Sequence, residues 1–150
     1  MNPGTPDELR RRPAVRGPQD VHALESDFPE PLAECSSTYA LLKRGAERDP
    51  EAPALSFFLQ VDDFQQPFVW THRDWIARIT QTANLLRRHG LGRGDTVAYV
   101  LPNLPETHWV IWGGETAGRV LALNPLLEPA MLRELMAAVQ PRLLVTLAPT

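Results

Sequence analysis

Cysteine and lysine are the scarcest chemically useful residues of this 150-residue chain, which has one of each, Cys35 and Lys43. A single cysteine excludes an intramolecular disulfide and a zinc site built from cysteine ligands. The neighbours of Cys35 supply no cation that would activate its thiol, so we interpret it as an inert, partly buried side chain. The other 14 of the 15 basic residues are arginines, so lysine chemistry has a single candidate.

Long apolar runs are also missing. No stretch approaches the roughly 18–20 apolar residues of a membrane span, and the first residues lack the apolar segment of a secretory signal. The formal charge of -3 and the isoelectric point near 5.8 argue against a nucleic-acid-binding protein, which normally has a basic face. We therefore expect a cytoplasmic protein with no nucleic-acid partner and no transmembrane segment.

The first 31 residues differ in composition from the rest. They have no periodic apolar face and hold six of the 15 prolines, namely Pro3, Pro6, Pro13, Pro18, Pro29 and Pro31. Such a segment buries too little apolar surface to offset its ordering entropy, so residues 1–31 are predicted to be a flexible leader. Arg10–Arg12 and Arg16 could form a patch for an anionic surface, but Asp7 and Glu8 dilute it, and solvated disorder is favoured. Residues 32–150 are then the folded part.

Local signals predict a helix, two short strands and a second helix before residue 90. Ser37 or Thr38 can cap a helix that runs to about Arg48, and residues 54–60 and 68–70 form strands that could pair as a hairpin. The second helix spans about residues 72–89. Its N-cap is Thr71, its apolar face recurs at helical spacing, and Gly90 suits the left-handed position after its end.

Three β-rich runs then begin at intervals of 23 residues, with a helical segment in each gap. Strands are predicted at 96–101, 120–123 and 143–147, and helices at 105–117 and from Pro129 to just before Pro141. This alternation is typical of an α/β fold with a parallel sheet and crossover helices. If the strands lie in simple sequential order, right-handed crossovers place both helices on one face. Trp109 and Trp112 mark the expected buried stripe of the first crossover helix, and Gly113-Gly114 indicates close approach to a neighbour.

Several motifs that suggest ligands are better explained by structure. The glycine-rich segment from Gly90 to Asp95 follows a helix and precedes a strand, the reverse of a phosphate loop, so a helix stop and tight turn is predicted. Asn103 and Asn124 follow the first two strands, at the edge where α/β folds bind ligands, and are weak candidates for the edge of a site. Turn formation by their side chains is the favoured explanation. His108 lies near Glu106 at the start of a predicted helix, and packing is its favoured role.

No constellation for catalysis is recognisable. The four histidines are scattered, no zinc-binding pattern occurs, and there is no GxSxG motif or serine- and threonine-rich loop that ends at a lysine. We therefore assign no catalytic, cofactor-binding or metal-ligating residue to this chain.

Residues 71–146 nevertheless resemble the N-terminal part of the acyl-CoA synthetase, or AMP-binding, family of adenylate-forming enzymes. The matching segments, in family order, are Leu91-Gly92-Arg93-Gly94-Asp95, Val97-Ala98, Leu101-Pro102-Asn103, Pro105-Glu106, Ala117-Gly118, Asn124-Pro125-Leu126 and Glu134-Leu135. Residues 37–70 fit the usual lead-in of the family. One departure is Glu128, which stands where many relatives have a threonine before the helix and is expected to weaken that cap.

The resemblance implies a large two-domain ligase. Such an enzyme activates a carboxylic (fatty) acid with ATP and Mg²⁺ to an acyl-adenylate, then transfers the acyl group to coenzyme A. Its phosphate loop, adenosine-binding motifs and catalytic lysine lie downstream of the segment matched here, and Lys43 fits none of those roles. The chain is thus expected to be an incomplete N-terminal part of the AMP-binding domain, inactive alone.

Two hypotheses stay open. The chain is either the N-terminal piece of an acyl-CoA synthetase or a stand-alone, non-catalytic α/β binding or interaction module. The first hypothesis predicts exposed apolar surface where further strands would pair, because an unfinished parallel sheet has an open edge.

Overall fold

The structure, a computed structural model, describes residues 15–26 and 35–147. Helix α1 spans Pro18–Ser26, inside the segment predicted to be a flexible leader, and none of its residues is buried. The sequence did not predict this helix, because α1 lacks the periodic apolar face by which helices are recognised. The backbone N–H of Arg16 donates to the carboxylate of Asp20 at 2.8 Å, which organises the first turn. The arginines at 10–12 and the leader boundary at 31 lie outside the described residues.

Helix α2 spans Thr38–Arg48 and is followed by an antiparallel hairpin. The Ser37 hydroxyl caps α2 by accepting a hydrogen bond from the Ala40 N–H at 3.1 Å. Strand β1, Pro53–Phe57, pairs with β2, Phe68–Thr71, so the predicted pairing is confirmed. The first strand is shorter than expected, because a 3₁₀ turn at Val61–Asp63 follows it closely.

Helix α3 spans His72–Arg88, and both of its predicted ends are confirmed. At the N-terminus the Thr71 hydroxyl accepts from the Asp74 N–H at 3.2 Å, and the Asp74 carboxylate accepts from the Thr71 N–H at 3.4 Å. At the C-terminus Gly90 has φ +87°, and the N–H of Leu91 donates to the Leu86 carbonyl at 3.0 Å. This is the glycine-terminated hydrogen-bond pattern that ends many helices.

The remaining elements form a parallel sheet with two crossover helices. In chain order they are β3 (Thr96–Val100), α4 (Pro105–Ala117), β4 (Arg119–Leu123), α5 (Pro129–Val139) and β5 (Leu143–Thr146). The strand order is β4-β3-β5, with Val97 opposite Val120 on one side and Leu143 on the other. The simple order is therefore not the one observed. Because the two crossovers run in opposite directions across β3, right-handed connections place α4 and α5 on opposite faces.

The core lies between the sheet and the α3–α4 layer. It comprises two clusters, whose buried members are Ala83, Leu86, Leu91, Val97 and Ala117 in one and Tyr99, Leu101 and Val110 in the other. Alternate residues of β3 face this layer, which explains why Val97 and Tyr99 are both buried.

Two glycines let α4 approach its neighbours closely, as predicted. A Cβ atom on Gly113 would lie 2.8 Å from the Thr82 Cβ and 3.0 Å from the Ala83 backbone nitrogen, both on α3. A Cβ atom on Gly114 would lie 2.6 Å from a Val120 methyl group on the sheet side. One residue pair therefore allows α4 to contact both a helix and a strand.

The expected tryptophan stripe of α4 is wrong in detail. The face that α4 buries is formed by Thr107, Val110, Gly113, Gly114 and Ala117 together with Pro105. Trp109 and Trp112 are only half-buried, and the close contact of α4 with α3 is made at Gly113 instead.

Candidate functional site

The candidate site is the edge of the sheet formed by the carboxyl ends of β3 and β4. These strands are neighbours, and the chain leaves them toward opposite faces, since β3 leads into α4 and β4 into α5. Adjacent strands whose connections diverge in this way leave a crevice outside their carboxyl ends, which is where open α/β sheets bind ligands. The loops at this edge contain the two predicted candidates, Asn103 and Asn124.

The loop after β3 is held by a threonine that sequence reasoning missed. The buried Thr107 hydroxyl donates to the Pro102 carbonyl at 2.6 Å and accepts from the Leu104 N–H at 3.4 Å. The Asn103 side chain is exposed and has no hydrogen bond to any residue of 15–26 or 35–147. The turn therefore forms without Asn103, whose amide is left facing solvent. The only sequence signal for Thr107 is its place at the third position of a helix that begins with proline.

The loop after β4 is built by its asparagine, as favoured from the sequence. The Asn124 side-chain oxygen accepts from the Leu126 N–H at 2.9 Å, and its carbonyl accepts from the Leu127 N–H at 3.1 Å. With these bonds Asn124 is a turn former. Glu128, at the N-cap of α5, makes no side-chain capping bond, as expected for this departure from the family pattern.

Aromatic residues from α3, α4 and β2 pack beside this edge. Trp109 meets Trp70 edge to face with ring centroids 6.1 Å apart, and Trp112 meets Trp75 at 6.4 Å. The Arg78 guanidinium lies 5.5 Å from the centre of the Trp109 ring. Each tryptophan of α4 therefore packs against another indole, which supports the packing explanation of this aromatic pair.

Titratable groups do not converge at this edge. Within 15–26 and 35–147 no three histidine, cysteine or carboxylate side chains are grouped so that they could hold a metal ion. His108 is half-buried and Glu106 beside it is exposed. Tyr99 is the one described group with a clear shift, since burial raises the pKa of its phenol by desolvation.

The glycine-rich segment lies at the opposite end of β3, and its own carboxylate fills it. The Asp95 carboxylate accepts from the Gly92 N–H at 2.8 Å, and the Asp95 N–H donates to the Gly92 carbonyl at 3.0 Å. These bonds close a tight turn and engage its backbone N–H groups, so the turn is not a backbone phosphate loop. The predicted helix stop and turn are confirmed.

The residues present do not fit the nucleotide phosphates or Mg²⁺ that the resemblance implies. The loops at the carboxyl edge carry two prolines after β3, which remove backbone donors, and an asparagine whose oxygen is engaged after β4. Lys43 is exposed on α2 and belongs to neither loop. We derive no chemical step from these groups.

Comparisons with known proteins identify the family. A sequence model described as AMP-binding enzyme matches residues 42–150. The chain is 27% identical over 152 residues to a marinolic acid–CoA ligase of Pseudoalteromonas sp., an alignment that covers 98% of this chain and 22% of the relative. It is 29% identical over 96 residues to acetyl-coenzyme A synthetase 2 of Saccharomyces cerevisiae, covering 55% of this chain and 14% of that protein.

Solved structures share the fold. A Rhodopseudomonas palustris protein described as a long-chain fatty-acid CoA ligase has a TM-score of 0.64 at 24% identity, covering 73% of this chain and 26% of that one. The N-terminal subdomain of Klebsiella oxytoca NpsA, in complex with 3-hydroxyanthranilyl-AMSN, has a TM-score of 0.63 at 20% identity with the same coverage. The chain spans about a quarter or less of the length of these relatives. It belongs to the AMP-binding enzyme family of adenylate-forming ligases and corresponds to the N-terminal part of their large domain.

Proposed function

We propose that this chain supplies the N-terminal portion of an ATP-dependent acyl-CoA synthetase. The intact enzyme would activate a carboxylic acid to an acyl-adenylate with ATP and Mg²⁺, then form a thioester with coenzyme A. In this proposal the chain supplies structure, since the described loops at the carboxyl edge contain prolines and an engaged asparagine in place of a phosphate-binding group. The folded residues 35–147 then form one wall of a site whose catalytic groups lie further along the sequence in members of the family.

The observation that carries the proposal is an apolar surface on α5 and β5. Helix α5 has no buried residue, although its hydrophobic side chains recur at helical spacing. The exposed fractions are 47% for Met131, 36% for Leu135 and 42% for Val139, three residues that lie four apart on one helical face. Leu144 on β5 is 50% exposed. Apolar side chains in such a patch mark a surface that another protein segment covers.

The apolar surface can be tested with an environment-sensitive dye. The chain should enhance the fluorescence of 8-anilinonaphthalene sulfonate, and Leu135→Glu should reduce the enhancement without lowering the free energy of unfolding. Ala137→Glu, an exposed position on the opposite face of the same helix, is the control for the added charge. Equal fluorescence for both variants, or a compact monomer that binds no dye, would count against a covered surface and favour the stand-alone module.

The activity assignment has its own test. The purified chain should give no ATP–pyrophosphate exchange with any fatty acid, because the family's phosphate loop and lysine lie outside it. Exchange by clean material would overturn the proposal that this portion is inactive alone. In the genomic DNA, an in-frame or frameshifted phosphate loop downstream of the codon for Thr150 supports the synthetase, and its absence favours the binding module.

The substrate and cofactors are proposed from the same family membership. A carboxylic acid is the expected substrate of the intact enzyme, and ATP, Mg²⁺ and coenzyme A are its expected cofactors. No helix in the described ranges 15–26 and 35–147 is long and apolar enough to cross a membrane. A cytoplasmic location stays a prediction.

A further inference from the structure

A second concave surface lies at the amino end of β3 and β4, opposite the carboxyl edge. This cleft, which we call the arginine cleft, has a volume of about 780 Å³. It is lined by the first turn of α2, the ends of α3 and α4 and the start of β4, through residues that include Arg87, Arg93, Glu115, Arg119, Ser37 and Thr38. Because β3 has five residues, the two ends of the sheet are about 16 Å apart. The cleft is thus distinct from the candidate site.

Three arginines from separate elements converge on the cleft. Arg87 belongs to the last turn of α3, Arg93 to the turn before β3 and Arg119 to the first position of β4. None of them forms an ion pair with a carboxylate of the described residues. Three guanidinium groups that share one cleft and form no ion pair produce a positive local potential.

Two of the arginines are fixed in place by backbone carbonyls. An Arg87 nitrogen donates to the Thr116 carbonyl at 2.8 Å, and an Arg119 nitrogen donates to the Gly94 carbonyl. Each guanidinium has five N–H donors, so a bond to one carbonyl leaves others for a ligand. Arg93 has no hydrogen bond to any described residue and retains its full donor set. The cleft therefore combines two guanidinium groups of fixed orientation, those of Arg87 and Arg119, with that of Arg93, whose orientation is not fixed by a hydrogen bond to a described residue.

The N-terminus of α2 adds to the positive potential. The Ser37 hydroxyl satisfies only the Ala40 N–H, and the other first-turn amides have no intrahelical partner. Helix α2 is held against α3 by the 2.8 Å hydrogen bond between the hydroxyls of Tyr39 and Thr80. The one carboxylate in the lining, Glu115, is exposed and opposes the arginines. The formal charge of the lining is therefore +2, from three arginines and one glutamate.

We propose that the arginine cleft binds a small phosphorylated molecule. Guanidinium groups match phosphate oxygens in paired hydrogen bonds, and a ligand with two or more negative charges is needed to satisfy three of them. The net charge of -3 for the whole chain disfavours a nucleic-acid backbone as the occupant. This proposal rests on the cleft alone and does not depend on the proposed ligase function.

Two substitutions in the cleft should change binding in opposite directions. Isothermal titration of the full chain with inorganic pyrophosphate at physiological ionic strength measures the dissociation constant. Arg93→Gln should weaken binding about tenfold through loss of charge-assisted hydrogen bonds. Glu115→Gln should tighten binding about threefold through loss of like-charge repulsion. Neither side chain bonds to another described residue, so both variants should unfold in urea at the same midpoint as the parent chain.

The controls separate a phosphate site from general charge. Arg133→Gln removes the same charge from exposed α5 and should leave the pyrophosphate affinity unchanged. Citrate, whose charge is carried by carboxylates, should bind at least tenfold more weakly than pyrophosphate. The proposal is overturned by absence of pyrophosphate binding, by equal effects of Arg93→Gln and Arg133→Gln, or by citrate binding as tight as pyrophosphate.

Discussion

Adding one methyl group at Gly113 tests whether α3 and α4 approach as closely as described. In an exposed helix, glycine to alanine stabilises by about 1 kcal/mol, because alanine loses less backbone entropy on folding. At Gly113 the new Cβ would lie 2.8 Å from a carbon atom and 3.0 Å from two backbone atoms of α3. Relief requires the helices to separate, and overpacking of this kind costs about 1–3 kcal/mol. An overpacking cost of about 2 kcal/mol exceeds the gain of about 1 kcal/mol from the alanine substitution. Gly113→Ala should therefore destabilise the chain by about 1 kcal/mol.

Gly45 provides a matched control within the same chain. It lies inside α2, and nothing is within 4 Å of the position that its Cβ would take. Gly45→Ala should stabilise by about 1 kcal/mol, so the two variants should differ by about 2 kcal/mol. Urea unfolding followed by tryptophan fluorescence and by circular dichroism measures both free energies. If Gly113→Ala stabilises as much as Gly45→Ala, the close helix contact is absent in solution and the reasoning fails.

Substitutions at two other positions, Tyr99 and Thr107, test the core and the loop after β3. Burial raises the pKa of the Tyr99 phenol, so the folded state keeps its proton at a pH where the unfolded chain has lost it, and the parent chain should lose stability as pH rises above about 10. The Tyr99→Phe variant should lose less stability over the same pH range. Parallel pH profiles of the unfolding free energy for the two chains would contradict the raised pKa of Tyr99. Thr107→Val removes the hydroxyl that bonds the Pro102 carbonyl and Leu104 N–H, and should cost about 1–2 kcal/mol in urea unfolding. Thr107→Ser keeps the hydroxyl and should recover most of that loss.

The helices α3 and α4 were predictable because their ends are encoded locally. Thr71 and Asp74 cap α3 three residues apart, and Gly90 can adopt the positive φ that ends it. Pro105 begins α4 at its predicted position. Each signal acts within about four residues, so a single sequence contains the whole interaction.

The strand order and the arginine cleft depend on contacts between distant residues. Nothing near β3 reveals that β5 pairs with it across 46 positions, as Val97 does with Leu143. Arg87 lies in the last turn of a helix that was predicted, and Arg93 lies in a segment that was predicted to be a turn. Folding brings them to one surface with Arg119, and no spacing rule predicts that.

The candidate site shows the same division between local and distant causes. Asn124 forms its turn with the next few residues, and its role was predicted. The equivalent role was expected of Asn103, but Thr107 forms the bonds instead, four residues further on and already within the helix. Which of two nearby polar side chains closes a turn depends on the direction in which the helix leaves the strand.

The central place of β3 in the order β4-β3-β5 has a consequence for how the chain folds. Strand β3 can pair with β4 after closing a loop of 23 residues, whereas pairing with β5 closes one of 46. Doubling the loop length costs only about 0.6 kcal/mol in closure entropy, so we expect β5 to join the sheet after β4 but without a large penalty. Until it does, one edge of β3 has unpaired backbone groups that can accept a strand from another molecule. Exchange of β5 between two copies is thus the misfolding route that this topology favours.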